Sequence, residues 1–402
     1  MKYTIRKSRR RMTCLSITVT LIYILSGCAA KETRLEHSVD DASLFDNLPE
    51  GLSIDESMEL PEVNAIPAIY EVALAAPTQD GIEAFLNEVG DPARKINVSD
   101  CDGSQQISAE TSNGTFMLNR NFSQKYTGFS FYYDTEMDSW YKSEYVLNYY
   151  DTNGEDNAHR SGNKVFFHNA DRYQEPKEFA FASVESAEET VRQKLELLDI
   201  HNLLLSRVLF LDHSIMAQVE NETNAAAQAA LENGEEIFPK GPDGEYLVGE
   251  LKGQWTEADD CYMFVFTGGT DGIPTARCEK MDKTTFFVPT TVIVRINASG
   301  ITYINTINPW NVIEQVQQPD EILSAQQALV RGKEIVQDIL VKEDQVITRL
   351  SLRYYNVQDG QRWLFTPVWE ITVCRKDVVD YYPEPKDLYY YVLIDAITGD
   401  EI

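Results

Sequence analysis

Histidine is scarce in this chain, five among 402 residues, and no His-Glu-x-x-His occurs. That absence removes the zinc-peptidase chemistry that such a pair supports on one helix face. His201 and His213 lie twelve residues apart at the two ends of an apolar run, with no further ligand placed beside them. They read as strand-end side chains, not metal ligands. Gly-x-Ser-x-Gly, a phosphate loop, Gly-x-Gly-x-x-Gly and Cys-x-x-Cys are missing too. Nucleophile-elbow hydrolysis, nucleotide binding and dithiol exchange therefore have no motif to rest on. Basic charge is the next shortage. Beyond residue 27 there are 29 Lys and Arg against 64 Asp and Glu, a net of −35. Such a body repels a phosphate backbone, which excludes nucleic acid as a partner. No later segment approaches 18 consecutive apolar residues, so none reads as a membrane-spanning helix. The expectation is a protein with no catalytic residues, metal or cofactor.

What basic charge there is concentrates at the start. Residues 1–27 hold Lys2, Arg6, Lys7, Arg9, Arg10 and Arg11 and no acid, and Met12–Leu25 is apolar. That run is short for a spanning helix and suits the core of an export signal. It ends in Leu25-Ser26-Gly27-Cys28, which resembles a bacterial lipobox, with small residues before the cut and a thiol that accepts diacylglycerol. Residues 1–27 are thus expected to be a lipoprotein signal peptide. Acylated Cys28 is then the attachment to the lipid bilayer, placing the protein on the extracytoplasmic face of the cell membrane. Two or three acyl chains make such anchoring stable. Residues 28–65 read as an acidic flexible tether, with ten acids and two bases between Lys31 and Asn64. Of the later cysteines, Cys101, Cys261, Cys278 and Cys374 stand at no metal-like spacing. Export permits a bridge such as Cys261–Cys278, but each thiol serves equally as a small buried apolar group.

The fold class expected is α+β. Residues 66–180 read as an aromatic-rich, mostly-β N-terminal domain, with a short helix at Asp80–Val89 and strand runs such as Gly114–Leu118 and Phe129–Tyr133. Ten aromatics fall between Tyr126 and Tyr150, enough to suggest a binding surface around Tyr132, Trp140 and Tyr141. Strand propensity accounts for the same density. Asp151–Gly162 mimics the opening of a calcium loop, but its sixth and twelfth positions, Asp156 and Gly162, depart from the requirement. A hairpin turn is the better reading. The second half shows an internal repeat, residues 181–310 and 311–402, the first copy enlarged by an insertion near 218–256. Each copy opens on a capping box, at Ser186 and at Ser324. Apolar positions then coincide at Ala187, Val191, Leu197, Leu198 and at Ala325, Leu329, Ile335, Val336. Strands follow, and the copies end alike in Asn297-Ala298-Ser299-Gly300 and Asp395-Ala396-Ile397-Thr398-Gly399. Two repeats of one helix packed on a small antiparallel sheet are the expectation.

The last 80 residues resemble a PepSY-type module on the strength of Pro367-Val368-Trp369-Glu370 and the terminal Asp395-Ala396-Ile397-Thr398-Gly399-Asp400. The resemblance implies a PepSY-like or cystatin-like sheet in an envelope lipoprotein of Gram-positive type. It also implies a non-catalytic role, binding or regulating another envelope protein such as a peptidase, sensor or transporter. The alternative is a surface peptide- or glycan-binding lipoprotein using the aromatic N-terminal region. Tyr390, in the run Tyr389–Tyr391, joins the candidate binding surface because alternate strand residues face opposite sides. Asp395, Thr398 and Gly399 read as a structural turn.

Overall fold

The computed structural model describes residues 48, 50–89, 95–101, 104–110, 115–121, 126–132, 170–232, 252–277, 280–281, 286–287, 289–338, 344–375 and 389–402. Seventeen strands and four α-helices lie among them. Nine strands form one sheet in the order β3-β4-β5-β6-β13-β12-β8-β7, with β9 attached to β8. These are β3 (Lys95–Cys101), β4 (Ser104–Glu110), β5 (Thr115–Asn121), β6 (Tyr126–Tyr132), β7 (Leu203–Leu211), β8 (Cys261–Thr270), β9 (Ile273–Pro274), β12 (Thr291–Asn297) and β13 (Gly300–Ile307). Six more form a second sheet, β1-β15-β16-β2-β14 with β17 on β16. They are β1 (Leu52–Ile54), β2 (Ile69–Leu74), β14 (Trp310–Gln317), β15 (Gln345–Asp359), β16 (Arg362–Arg375) and β17 (Tyr389–Asp395). A short ribbon pairs β10 (Lys280–Met281) with β11 (Phe286–Phe287).

This corrects the expected fold class. The chain is mostly β, and it is not a pair of repeats that each pack one helix on a small sheet. The local elements of each expected copy exist, but both sheets take in strands from far outside them. In the nine-stranded sheet β13 pairs with β6, which brings in β3–β6. In the six-stranded sheet β1 pairs with β15 and β2 with β16 and β14. The physical reason is that a strand pairs through its backbone, which is blind to sequence position. Leu52 and Ile54, inside the expected tether, alternate as a half-buried strand does, and both are buried in the core.

Helix α1 (Gln79–Glu88) starts at Thr78, whose Oγ1 accepts from the Gly81 N–H at 3.1 Å. Helix α2 (Val184–Leu197) is capped by Ser183, whose side chain accepts from Ser186 N–H, so the cap sits one turn before the expected Ser186. Both helices bury apolar stripes against one face of the nine-stranded sheet. Ile82, Phe85 and Leu86 of α1 and Ala187, Val191 and Leu195 of α2 meet Tyr262, Phe264 and Phe266 of β8 and Val292, Val294 and Ile296 of β12. Full burial of each such side chain contributes roughly 1.5–3 kcal/mol. On the other face lie Leu209 and Leu211 of β7, Cys261 and Met263 of β8 and Ile293 of β12. They meet Met216 and Val219 of α3 (His213–Glu232), the helix of the expected insertion.

Helix α4 (Ala325–Asp338) covers one face of the six-stranded sheet, with Ala328, Leu329 and Val336 on Leu350, Trp369, Ile371, Val392 and Ile394. Its Ser324 forms the expected capping box: Gln327 N–H donates to Ser324 Oγ at 3.2 Å, and Ser324 N–H donates to Gln327 Oε1 at 2.8 Å. Close approach to the sheet requires Gly332, since a Cβ there would lie 1.9 Å from Ile371 Cδ1. Pro367 falls inside β16, where a missing N–H would normally break a ladder. Here β2 pairs only up to Phe365 and β17 begins opposite Val368, so Pro367 sits where one neighbour hands over to the next. Its carbonyl still accepts from Ala396 N–H at 3.0 Å.

Three non-glycine residues in the left-handed region, Asp199, Asn202 and Asn308, gather where the two sheets meet. Asn311 Nδ2 donates to the Asp199 carbonyl at 2.7 Å, Val312 N–H donates to Asn202 Oδ1 at 2.9 Å, and Ala76 N–H donates to Asp199 Oδ2 at 2.8 Å. Asn and Asp tolerate this backbone because their short side chains bond locally. Here those bonds reach across to strands of the second sheet.

Candidate functional site

Two clusters of charged side chains stand out, one per sheet. The first lies at the start of α3. Asp212, His213 and Asp260 bring a ligand-type atom each within 4.8 Å of one another. Each group already has a helix-start task. Asp212 Oδ1 accepts from Ser214 N–H at 2.8 Å and Asp260 Oδ1 accepts from His213 N–H at 2.7 Å, satisfying the first-turn donors that a helix leaves open. Asp260 Oδ1 also lies 2.8 Å from His213 Nδ1, and the Lys177 ammonium pairs with Asp212 Oδ2. A protein cation therefore occupies the position beside Asp212. The arrangement works as a capping network.

The second cluster is on the face of the six-stranded sheet away from α4. Strand register sets it out as a grid. Arg349 of β15 stands opposite Thr372 of β16, then Tyr391 of β17; Ser351 stands opposite Glu370, then Leu393; Arg353 stands opposite Val368, then Asp395. A bulge between Ile347 and Arg349 places the first row. Such irregularities re-aim a side chain. Segment Thr275–Arg277 crosses this face: Ala276 packs with Tyr355, Val368 and Leu393, and Arg277 N–H donates to Glu370 Oε2 at 2.5 Å.

Glu370 is fully buried and Arg353 is 8% exposed. Their closest approach, Arg353 Nε to Glu370 Oε1, is 3.6 Å, an ion pair beyond hydrogen-bond length. Both atoms are sealed from solvent without a hydrogen-bond partner, as are Ser351 Oγ and Thr372 Oγ1. Each unmet buried group of this kind costs about 1–3 kcal/mol. Burial raises the Glu370 carboxyl above the usual carboxylate range, against the attraction of Arg353, Arg277 and Arg349. Burial lowers the Arg353 guanidinium, with Glu370 acting in the opposite sense. Three arginines around one carboxylate make this a local cationic spot on a strongly acidic body.

Of the residues singled out in the sequence, Cys28, Trp140 and Tyr141 lie outside the described residues, as does the Asp151–Gly162 segment. Tyr132 ends β6 opposite Thr115 and Tyr303. Tyr390 packs on the α4 core and its hydroxyl donates to Gln345 Oε1; burial pushes its pKa up to about 12. It serves the fold. Asp395 Oδ1 accepts from Ile397 N–H at 2.8 Å and Thr398 N–H at 2.9 Å, Thr398 Oγ1 accepts from Asp400 N–H at 3.2 Å, and Gly399 takes a φ of +78°. This is an Asx-type turn. Cys261 and Cys374 are buried in β8 and β16, in different sheets, while Cys278 lies outside the described residues. Sequence reasoning named Glu370 only as the end of the Pro367–Glu370 motif, not as a site residue, and passed over Arg353. Their signal was alternation: charged residues recurring on one face of strands otherwise rich in apolar side chains.

No family model matches this chain and no curated protein matches it. A crystal structure of an uncharacterized protein from Eubacterium rectale is similar over 90% of this chain and 96% of that one, at 13% identity and a TM-score of 0.48.

Proposed function

We propose that this chain is a lipid-anchored binding protein of a bacterial cell envelope, held at the extracytoplasmic face through acylated Cys28 and acting on another envelope protein without catalysis. One observation carries the reading: six bases, an apolar run and Leu25-Ser26-Gly27-Cys28 follow one another in the order and spacing that lipoprotein export requires. The acidity of the expected tether, ten acids and two bases between Lys31 and Asn64, would hold that segment off an anionic surface.

The test is expression of the full chain in a bacterium, with fractionation and mass spectrometry of the N-terminal peptide. Diacylglycerol on Cys28 at a new N-terminus, membrane recovery, and loss of both in Cys28→Ser support the anchor. An unmodified Cys28 in a soluble fraction overturns it. The binding role is tested by cross-linking on intact cells against Cys28→Ser cells. A defined envelope partner that pairs only with the anchored form is expected, and turnover of a substrate abolished by one side-chain change would overturn the non-catalytic reading.

A further inference from the structure

The nine-stranded sheet ends on β3, and that end is open. Among the described residues, every other end of the two large sheets carries a feature that deters a further strand. β1 and β9 are three and two residues long, β7 is bulged between Leu205 and Arg207, and β14 is bulged twice. β17 is covered by the segment that follows it, whose Ile402 N–H donates to the Leu393 carbonyl at 3.0 Å. β3 has none of these. Its seven residues pair with β4 without a bulge, from Lys95 opposite Glu110 to Cys101 opposite Ser104. Asn97, Val98 and Ser99 are exposed in succession, so neither face of the strand is covered there. Val98 is 50% exposed although Ile107, opposite it, is buried in the core.

The backbone of β3 is directed outward at three positions. Only two residues separate Cys101 from Ser104, so that pair is the bonded one that closes the hairpin. Bonded and non-bonded pairs then alternate, and the N–H and C=O of Ile96, Val98 and Asp100 point away from β4. We propose that β3 is a docking edge that takes up an extended segment of an envelope partner as a further antiparallel strand, with apolar residues opposite Ile96 and Val98 and a basic residue opposite Asp100. Main-chain bonds supply the affinity in such strand addition, and alternate side chains choose the partner. Charge selects against a second copy of this chain. Two bodies that each carry −35 beyond residue 27 repel one another, whereas a basic segment is drawn to that acidity. This occupant rests on the binding role proposed above and is independent of the Cys28 anchor.

Calorimetry and residue-resolved amide exchange on the full chain in detergent test this with three end-capped peptides. They are Thr-Lys-Thr-Val-Thr-Val-Thr, its Lys-to-Glu version, and its version N-methylated at both Val. The first should bind and slow exchange of the Ile96, Val98 and Asp100 amides, leaving the Asn97 and Ser99 amides, already held by β4, unchanged. The N-methylated peptide should bind about tenfold or more weakly, as the loss of two main-chain bonds implies, and the Glu peptide should also weaken. Val98→Pro removes an outward N–H and no bond to β4, so it should lose the peptide with its melting temperature kept. If that variant misfolds, the N-methylated peptide reads the same bonds on the unaltered protein. No binding of the first peptide, protection of another edge, equal affinity for the N-methylated peptide, or a peptide-free dimer paired through β3 overturns the proposal. A defined partner cross-linked on cells away from β3 would sink the edge alone and leave the binding role standing.

Discussion

The two sheets differ most on their second faces. Each has a helix against the first face, α2 with α1 on the nine-stranded sheet and α4 on the six-stranded one. Opposite α2, the nine-stranded sheet closes with Leu209, Leu211, Met263 and Ile293 under α3; buried acids sit on α3 and at its start (Glu220, Asp212, Asp260), and among the described residues within the strands themselves Arg295 is the buried charge. That guanidinium lies 4.5 Å from the Tyr303 ring centroid, yet its Nε and Nη1 lack hydrogen-bond partners. Opposite α4, the six-stranded sheet carries Arg349, Ser351, Arg353, Glu370 and Thr372. A lone buried cation softened by an aromatic face is an isolated cost. A buried ion pair among unmet hydroxyls is an organised one, and it concentrates on the sheet that holds both the first and the last described strands.

Substitutions at the two buried charges should separate these cases most. Glu370→Ala leaves Arg353 buried without its counter-charge and is expected to cost about 3–5 kcal/mol in urea unfolding. Arg295→Met removes two unmet donors along with a cation–π contact worth about 0.5–2 kcal/mol, so it should change stability little or raise it. If both cost the same, the contrast between the faces fails.

Helix seating gives the next largest effect. Gly332→Ala drives a Cβ onto Ile371 Cδ1, and Gly81→Ala drives one to 2.3 Å from the Leu197 carbonyl oxygen. Overpacking of this kind costs about 1–3 kcal/mol, more than the roughly 1 kcal/mol that Ala gains over Gly in a helix. Ile371→Val should rescue Gly332→Ala, because a side chain can be shortened. The backbone oxygen facing Gly81 cannot, so no such rescue is expected there.

A smaller effect is set by pH. The folded-state pKa of Glu370 is raised, so the folded protein keeps that proton longer than the unfolded chain does. Relative to Glu370→Gln, wild-type stability should therefore fall as pH rises above the ordinary carboxyl value of 4.5 towards the raised folded value. Paired urea curves between pH 4 and 8 measure this, and a flat or rising difference would contradict it. The helix caps come last. Ser324→Ala breaks a reciprocal box and should cost about 1 kcal/mol, whereas Ser183→Ala loses one 3.3 Å bond and should cost less.

Local chemistry made the elements readable. The Ser324 box, the apolar stripe at Ala325, Leu329, Ile335 and Val336, and the Asp395 turn all depend on neighbours a few residues away. Where two serines competed, the reading fell on Ser186 and missed Ser183, because both precede the same apolar stripe. Sheet size was not readable, since the alternation that marks Leu52–Ile54 or Ile69–Leu74 says which face is buried and nothing about which strand lies alongside. The Arg353–Glu370 pair was obscured for a related reason. With 64 acids in the chain, one carboxylate becomes conspicuous only when its burial is known.

The pairing of β1 with β15 sets the order in which the chain can mature. Ser53 Oγ donates to the Gln345 carbonyl across 292 residues, and Leu52 pairs in register with Gln345 itself. At the usual pace of synthesis the early strands wait roughly 15–60 s for their partners. β16, which holds β2 and β17 along its length, arrives later still, and β17 is the last of the described strands to follow. Through that interval Leu52, Ile54 and Val72 are apolar strand residues without a sheet, which is the condition that holding chaperones serve. Losing the last fourteen residues would remove β17 and leave the six-stranded sheet without the strand that seals Trp369 and Ile371 beneath α4.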